Sequence, residues 1–306
     1  MKRIGILGLH HKAGSMIKFI KKSGEFEIVG LYDQSLDKAR QSAGLYGLQL
    51  VENPFSLISK SDLLIVAQTD EASFNLITEC IQANKQVVIE TPYNLTVKET
   101  DYIEKLANEA DLSVVPSLIY SFSPTLLNVK SYLLNARFLE LRYSTSPVSK
   151  GGSFSLTENM LNLIDIVLTL VKGNVRRASI SGVNIVGNIP QIVSMRFDFD
   201  NGSAATVKAD YMSSTEETII TAYQPGQIIQ TDLIKNVSSI KSYNSSNPMS
   251  FEVSKLPKTK DENPYKELFE YMKAFNDMKT AVSMLGHFKN TLSILKVAEA
   301  KLLWEQ

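Results

Sequence analysis

Short apolar runs alternate with longer amphipathic segments over the first 117 residues of the chain. The short runs predict β-strands, and residues 63–67, which are apolar without interruption, are typical of a strand covered on both faces. The longer segments, such as residues 97–109, have the periodicity of amphipathic helices. Strands linked by helical crossovers indicate βαβ units, so we expect residues 1–117 to form a doubly wound α/β domain with a parallel sheet.

The pattern changes after residue 117, where apolar and polar positions alternate in five strand-like runs between residues 178 and 233. Between two of these runs, Asp200-Asn201-Gly202 predicts a hairpin turn, because Asn and Gly tolerate positive φ angles. Residues 118–306 are therefore expected to form a second α/β domain, with an open, mostly antiparallel sheet backed by helices. The stretch 236–250, rich in Ser and Asn, predicts a mobile excursion.

Composition narrows the classes of partner. The chain has 306 residues, with 32 basic and 32 acidic side chains and a formal net charge of zero. Such a chain lacks the basic excess that binding to phosphate backbones requires, which argues against nucleic acid. No apolar run reaches the roughly 18 to 20 residues of a membrane-spanning helix, and the single Cys80 fits a reducing compartment. We expect a cytoplasmic protein that binds a small molecule, with no membrane or nucleic-acid partner.

The loop between the first predicted strand and the first helix is similar to a dinucleotide-binding fingerprint. In G-x-G-x-x-G/A the first glycine makes the tight turn, the second lets the backbone approach a pyrophosphate, and the third packs helix on strand. Gly8 and Ala13 match the first and third positions, whereas His10 occupies the second. We expect Gly8, Leu9, His10 and His11 to contact a dinucleotide; the alternative is an ordinary strand-to-helix turn without a nucleotide.

An acidic residue follows the second predicted strand at the spacing of a ribose-binding residue. Asp33 lies about 20 residues after the loop, where a carboxylate can accept hydrogen bonds from both ribose hydroxyls. The same charge repels a 2′-phosphate, so NAD is the expected cofactor in preference to NADP. The alternative is a turn or helix-capping aspartate.

Three further segments carry a family resemblance: residues 90–92 (Glu-Thr-Pro), 120–124 (Tyr-Ser-Phe-Ser-Pro) and 151–165. In order and spacing they resemble the Glu-Lys-Pro, Tyr-Arg-Phe-x-Pro and Gly-Gly-Gly…Asp-x-Gly-x-His-x-x-Asp segments of the Gfo/Idh/MocA oxidoreductases, the family of glucose–fructose oxidoreductase and inositol dehydrogenase. The resemblance implies an N-terminal Rossmann domain that binds NAD(P), with Glu90 and Pro92 among the cofactor contacts. It also implies a sugar- or polyol-like substrate.

The chain departs from this family where the chemistry is expected. The resemblance implies that a lysine and a histidine flank the substrate, but Thr91 and Asn162 stand at those positions and Glu158 replaces an aspartate. Neither Thr nor Asn titrates near neutral pH, so Glu158 is the one titratable candidate of the three. Two hypotheses stay open: an oxidoreductase that uses Glu158 or a substrate-assisted route, and a non-catalytic pseudoenzyme that binds a dinucleotide or sugar ligand, or serves as a structural partner.

Another departure follows the third predicted strand, where Gln68 and Thr69 stand in a segment that reads Ala-Thr-Pro-Asn in the family. Both side chains are still expected to line the crevice at the carboxyl edge of the sheet, where ligands bind in such folds. No metal site is predicted, because the adjacent His10 and His11 point in different directions.

The strands of the second domain also predict an assembly. The face that does not pack on helices is expected to carry Val183, Ile185, Met195, Phe197 and Val207 or their immediate neighbours, depending on register. A wide apolar face is larger than a monomer usually exposes. Because members of the resembled family commonly dimerise through this sheet, we expect a homodimer, or a tetramer that contains it.

Overall fold

The computed structural model describes residues 1–9, 13–68, 72–90, 94–146, 155–244, 247–258, 263–278 and 282–304. The chain forms two compact units. The first comprises Met1–Leu118 and Tyr265–Leu292, and the second comprises Ile119–Pro264 and Ser293–Gln306. The domain boundaries expected from the sequence place residues 265–292 in the second domain, whereas the structure groups them with the first. No helix in the described ranges is both long and apolar enough to span a membrane.

The first unit contains a five-stranded, all-parallel sheet. Its strands are β1 (Lys2–Leu7), β2 (Phe26–Tyr32), β3 (Leu63–Val66), β4 (Gln86–Ile89) and β5 (Val114–Pro116). Their order is β2-β1-β3-β4-β5, so the winding direction reverses between β1 and β3. This confirms the doubly wound domain. The connecting helices are α1 (Ala13–Ser23), α2 (Leu36–Tyr46), α3 (Pro54–Lys60), α4 (Ala72–Gln82) and α5 (Val97–Glu109).

A late helix, α8 (Pro264–Met278), belongs to the first unit from Tyr265 onward. The ring of Phe269 lies 5.9 Å from that of Phe19 on α1 and 4.8 Å from that of Phe26 on β2. One turn earlier, Tyr265 lies 6.4 Å from Phe19. This aromatic packing explains why residues distant in sequence belong to the first unit, since the apolar spacing of a helix does not specify which sheet it will cover.

The second unit contains an eight-stranded, mostly antiparallel sheet, as the sequence predicts. Among the described strands of this second sheet, β6 and β9 are the one parallel pair. The order is β13-β12-β11-β10-β6-β9-β8-β7. The strands are β6 (Phe138–Ser144), β7 (Val175–Val183), β8 (Ile192–Phe199), β9 (Ala204–Asp210), β10 (Glu217–Gln224), β11 (Gln227–Asp232), β12 (Val237–Asn244) and β13 (Asn247–Lys255), with helices α6 (Pro124–Tyr132) and α7 (Leu156–Leu170). The last helix, α9 (Val282–Trp304), is divided: its residues up to Leu292 belong to the first unit and those from Ser293 onward to the second.

The predicted Asp-Asn-Gly turn connects β8 to β9. Gly202 has a φ of 79°, and the Phe199 amide donates to the Ser203 carbonyl oxygen over 2.9 Å. A residue in the left-handed region is required at this position, which Gly supplies without strain. The turn therefore confirms the hairpin, and β8 and β9 are antiparallel.

The two faces of this sheet differ sharply in polarity. The inner face packs on the helices of the second unit and carries Met195, Phe197 and Val207, each at most 1% exposed. Met195, Phe197 and Val207 therefore do not face outward, and their immediate neighbours do, which is the other register that the sequence left open. Val183 and Ile185 are exposed, at 57% and 56%. One row across all eight strands of the outer face is entirely polar: Ser179, Arg196, Thr206, Glu140, Thr221, Gln230, Ser239 and Lys255.

This polar row weakens the apolar-surface argument for a homodimer, but the neighbouring row of the same face carries Phe138, Tyr223, Ile228 and Val253. A one-residue change of register exchanges the two faces of a strand, and burial of the apolar set on the helices decides between them. The oligomeric state stays a prediction.

The stretch 236–250 is also different from the expectation. Within the described residues it forms β12 and the start of β13, so the prediction of a mobile excursion is wrong there. Ile240 is 7% exposed on the inner face, while Lys241 lies over the ring of Phe251 with 3.5 Å between ammonium and ring centroid. The backbone groups of Ser and Asn form the hydrogen bonds of a β-sheet as those of other residues do, once a few buried apolar side chains hold the strand in place.

Candidate functional site

Four residues that the sequence assigns to cofactor binding lie at the carboxyl edge of the five-stranded sheet. Gly8 follows β1, Asp33 follows β2, Gln68 follows β3 by two residues, and Glu90 follows β4. Parallel strands end at the same edge of a sheet, and ligands of doubly wound folds bind where the strand order reverses. The reversal here lies between β1 and β3, beside Gly8 and Gln68.

Glycine is required at position 8 for two separate reasons. Its φ is +81°, in the left-handed region. A Cβ atom there would also lie 2.6 Å from the amide nitrogen and 2.7 Å from the Cα of Gln68. Neither atom can move aside as a flexible side-chain end can. The Gly8 amide donates to the Tyr32 carbonyl oxygen over 2.7 Å, so the turn after β1 is held to the end of β2.

The Asp33 carboxylate organises the same turn. Its Oδ2 accepts from the Leu9 amide over 3.0 Å, and its Oδ1 accepts from the Ser35 amide over 2.9 Å. The turn-forming role that the sequence leaves open as an alternative is therefore present. Each oxygen of a carboxylate can accept a second hydrogen bond, so this role leaves acceptor capacity for ribose hydroxyls. The side chain is 9% exposed.

Gln68 and Glu90 are buried at this edge, at 8% and 7% exposure. The Ser73 hydroxyl donates to the Gln68 carbonyl oxygen over 2.5 Å, and the Glu90 amide donates to the Val66 carbonyl oxygen over 2.9 Å. Burial raises the pKa of Tyr265, and the negative charge of Glu90 raises it further. The sequence predicts only a packing role for Tyr265, because nothing in its local pattern places it near β4.

Several predicted site residues lie outside the described residues: His10, His11, Thr69, Thr91 and Pro92. Their roles stay predictions. Among the residues that are described, Gly8, Leu9 and Asp33 fit the backbone turn and the acceptor that a dinucleotide requires. No group of three or more His, Cys, Asp or Glu side chains within the described ranges is arranged to hold a metal ion.

The predicted catalytic residues of the second unit lie in the first two turns of α7. The Glu158 amide donates to the Ser155 hydroxyl over 3.2 Å, so Ser155 caps the helix. Glu158 is 9% exposed and Asn162 is half-buried. Residues four apart share a helix face, so α7 presents Glu158 and Asn162 on the same side.

Three tyrosines of the second unit form a group beside Glu158: its charge acts on Tyr143 and Tyr120, and Tyr211 packs on Tyr143. The Tyr143 hydroxyl donates to Asn159 Oδ1 over 2.9 Å. Burial, with the nearby charges of Glu216 and Glu158, raises the pKa of Tyr143 to about 12. Burial likewise raises the pKa of Tyr120, with smaller contributions from the same two carboxylates. Both hydroxyls therefore stay protonated at neutral pH. The proton of Tyr143 is engaged with Asn159, so Tyr120 is the one of the two that can donate to a bound ligand. The third, Tyr211, packs edge-on against Tyr143, with the ring centroids 5.9 Å apart.

A buried carboxyl group lies further along α7. Asp165 is fully buried, and its Oδ1 accepts from the Ser121 hydroxyl over 2.7 Å. The Ser121 and Thr169 hydroxyls are 2.9 Å apart. Ser121 occupies the position of the family's arginine in the resemblance, so a short hydroxyl contacts a carboxyl group where a long cation is expected. The sequence does not predict this pair, since 44 positions separate its members.

These features agree with the comparisons to known proteins. Residues 2–117 match the model of the Gfo/Idh/MocA family, described as an oxidoreductase family with an NAD-binding Rossmann fold. A curated relative, glucose-6-phosphate 3-dehydrogenase of Bacillus subtilis, is 24% identical over 135 residues, which are 44% of this chain and 39% of the relative. The match thus spans about two fifths of the relative's length.

Solved structures extend the similarity of fold to the whole chain. UDP-N-acetylglucosamine 3-dehydrogenase from Acidithiobacillus ferrooxidans has a TM-score of 0.86 at 17% identity, covering 98% of this chain and 99% of that one. An oxidoreductase from Agrobacterium radiobacter, in complex with NAD+, L-tartaric acid and magnesium, has a TM-score of 0.81 at 11% identity, covering 100% and 97%. At such identities these neighbours show the shared fold.

Proposed function

We propose that the protein is an NAD-dependent oxidoreductase that acts on a sugar- or polyol-like substrate. The observation that carries the proposal is the turn at Gly8, which is held to the carboxylate of Asp33 through the Leu9 amide. This arrangement supplies the close backbone approach and the acidic acceptor that an adenosine dinucleotide requires. The relatives named as sugar dehydrogenases support the substrate class.

In this proposal the residues of the first unit bind and orient the cofactor, whose nicotinamide ring supplies hydride transfer. Gly8 lets the backbone approach the pyrophosphate. Asp33 accepts hydrogen bonds from the ribose hydroxyls and repels a 2′-phosphate, so NAD is preferred over NADP. Gln68, Thr69, Glu90 and Pro92 form the remaining contacts along the carboxyl edge.

In this proposal the proton is transferred by a residue of the second unit, Glu158. Thr91 and Asn162 can donate hydrogen bonds to a substrate hydroxyl but cannot take its proton at neutral pH. Glu158 is the carboxylate at the matching helix position and accepts the proton from the alcohol as it is oxidised. The protonated hydroxyl of Tyr120 orients the substrate by donating a hydrogen bond, while Tyr143 donates to Asn159 and fixes the side of the helix on which Glu158 lies. General acid–base assistance is worth about 10²- to 10⁴-fold in rate, so a weak base predicts slow turnover.

A second candidate function is ligand binding without turnover. The observation that favours it is Asn162, a non-titrating amide on the same helix face as Glu158. In that case the chain binds NAD and a polar ligand but transfers no hydride.

The test begins with calorimetric titration of the purified protein with NADH and NADPH, followed by a panel of sugars and polyols. For an oxidoreductase we expect tighter binding of NADH, measurable NADH formation, and a kcat that falls at least tenfold in Glu158→Gln. Glu252→Gln, which changes an exposed carboxylate of the same unit, is the matched control. Tight NADH binding without turnover on any substrate would favour the second candidate. Failure to bind either cofactor would contradict both and favour a structural partner.

A further inference from the structure

The outer face of the eight-stranded sheet carries a pocket whose lining includes none of the candidate cofactor or catalytic residues. Its cavity has a volume of about 430 Å³. Small-molecule sites commonly measure roughly 300–1,000 Å³, so this cavity has the size for a ligand and exceeds the needs of a bare ion. It lies at the ends of strands β10 to β13. The lining comprises Ile219, Gln230, Asp232, Lys235, Val237, Ser238, Ser239, Lys255, Leu256 and Lys258.

Charge inside this pocket is unbalanced in favour of cations. Three lysines face one carboxylate, Asp232. That carboxylate is already engaged: its Oδ1 accepts from the Ile234 and Lys235 amides over 3.0 and 2.9 Å, and its Oδ2 lies 3.1 Å from Lys235 Nζ. Lys255 and Lys258 form no ion pair with any residue in the described ranges. Within the described ranges, these two ammonium groups therefore have no counter-charge.

Neutral donors lie beside these cations in register. Gln230 pairs with Ser239, and Ser239 pairs with Lys255, across three neighbouring strands. Paired residues project on the same face about 4.8 Å apart, so an amide, a hydroxyl and an ammonium group lie side by side. All three can donate hydrogen bonds to an oxyanion.

The backbone that carries the two unpaired lysines is fixed to the rest of the unit. The Leu256 amide donates to the Ser238 carbonyl oxygen over 2.9 Å, and Asn128 Nδ2 donates to the Pro257 carbonyl oxygen over 3.0 Å. Lys255 and Lys258 therefore flank a segment anchored at two points. Anchoring reduces the entropy that a ligand must remove on binding, which favours a defined site over a diffuse basic surface.

We propose that this pocket binds a dianionic phosphate group, carried by a small phosphorylated molecule. Phosphate is recognised by lysine ammonium groups acting as point charges, with hydroxyl and amide donors completing the shell. The cavity volume beyond the phosphate accommodates the organic part, against Ile219 and Val237. The site is independent of the NAD proposal, since all of its residues belong to the second unit and none is assigned to cofactor or substrate.

The test measures the binding of three probes to the full chain by calorimetry in a buffer of low ionic strength. The probes are glycerol phosphate, inorganic phosphate and glycerol. We expect glycerol phosphate to bind, glycerol not to bind, and the affinity to fall as salt is added. Lys255→Gln and Lys258→Gln should each weaken binding at least fivefold, and the double variant should abolish it. The matched control is Lys208→Gln, a lysine on the same outer face outside the pocket.

Inorganic phosphate distinguishes the two sources of the anion. Tighter binding of glycerol phosphate supports a phosphorylated metabolite, and equal binding supports the same site with free phosphate as its ligand. Failure of both phosphate probes to bind the wild type would overturn the proposal. So would binding that survives in the double variant, or that Lys208→Gln weakens equally, with circular dichroism showing that each variant is folded.

Discussion

The two units differ in how far they keep the residue types that dehydrogenase chemistry requires. In the first unit, Gly8 has the positive φ and the close approach of a cofactor turn, and Asp33 is the expected acid after β2. In the second, Asn162 stands at the position of the expected histidine, and Glu158 is a titratable group one turn before it on the same helix face. Binding determinants and proton-transfer determinants can therefore diverge separately, and affinity for a cofactor is no measure of turnover.

The largest expected effect is a gain of activity. Thr91→Lys together with Asn162→His restores a titrating pair at the two substituted positions. If the cofactor binds and the proton step limits the wild type, kcat should rise about 10²-fold or more on the best substrate. The control is Thr91→Gln with Asn162→Gln, which changes size without adding an acid or base. A folded, NADH-binding double variant with no gain would mean that the second unit has diverged beyond these two positions.

The next effect tests the turn of the first unit. Gly8→Ala places a Cβ against the Gln68 backbone and forces a non-glycine residue into the left-handed region. We expect a loss of about 2 kcal/mol or more in the free energy of unfolding, with loss of NADH binding. Gly24→Ala is the control, because its φ of +68° is similar but no atom lies within 4 Å of the added Cβ. Denaturation by urea compares the two, and equal losses would contradict the close-approach argument.

A smaller effect is expected at the buried carboxyl group of the second unit. Ser121→Ala removes the 2.7 Å hydrogen bond to Asp165 and should lower the free energy of unfolding by about 1–3 kcal/mol. Ser131→Ala, which removes a hydroxyl bonded to its own helix at an exposed position, should change stability by less than about 0.5 kcal/mol. NADH affinity should be unchanged in both variants. A drop in affinity for Ser121→Ala would mean that the two units are coupled.

Substitution of Asp33 should change the preference of the protein for NADH over NADPH. Asp33→Ala removes the expected ribose acceptor and the repulsion of a 2′-phosphate, so NADH affinity should fall by about tenfold, the value of one or two hydrogen bonds. NADPH affinity should fall less, which narrows the ratio measured by fluorescence titration. Asp37→Ala, at an exposed carboxylate one helical turn later, should leave the ratio unchanged. A wild type that prefers NADPH would already contradict the assignment.

The smallest effect concerns an exposed ion pair of the first unit. The Arg3 guanidinium lowers the pKa of Asp62 to about 2 through hydrogen bonds and charge. A lowered pKa stabilises the folded state above the pKa of the unfolded chain, and that contribution disappears as the pH falls from about 4 towards 2. Both side chains are exposed, so Asp62→Asn should lower Tm by only about 2 °C at pH 7. The difference from wild type should vanish near pH 2, and Glu52→Gln should show no such pH dependence.

Local patterns in the sequence predicted much of this molecule. Strand positions, the Asn-Gly turn and the acid after β2 are each determined by neighbouring residues, so the chain alone indicates them. The inner and outer faces of the second sheet were harder, because a single-residue slip exchanges them and only packing against helices decides. The same limit applies to the stretch 236–250, where few apolar side chains mark the strands.

Contacts between distant segments could not be predicted. The Ser121–Asp165 hydrogen bond, the place of Tyr265 near Glu90 and the lysine pocket each bring together residues from separate elements. No periodicity relates their positions. The resemblance to a family identified Thr91, Glu158 and Asn162 as positions of interest, but it gave no information on what surrounds them.

The aromatic packing of α8 on α1 and β2 has a consequence for biosynthesis. The first unit is interrupted in the chain, because residues 119–264 are translated between its sheet and the helix that carries Tyr265 and Phe269. While the ribosome makes that intervening part, Phe19 and Phe26 have no aromatic partner from α8. The domain that begins first along the message is therefore completed among the last, and a nascent chain must keep its unfinished core from aggregating until almost all residues have emerged.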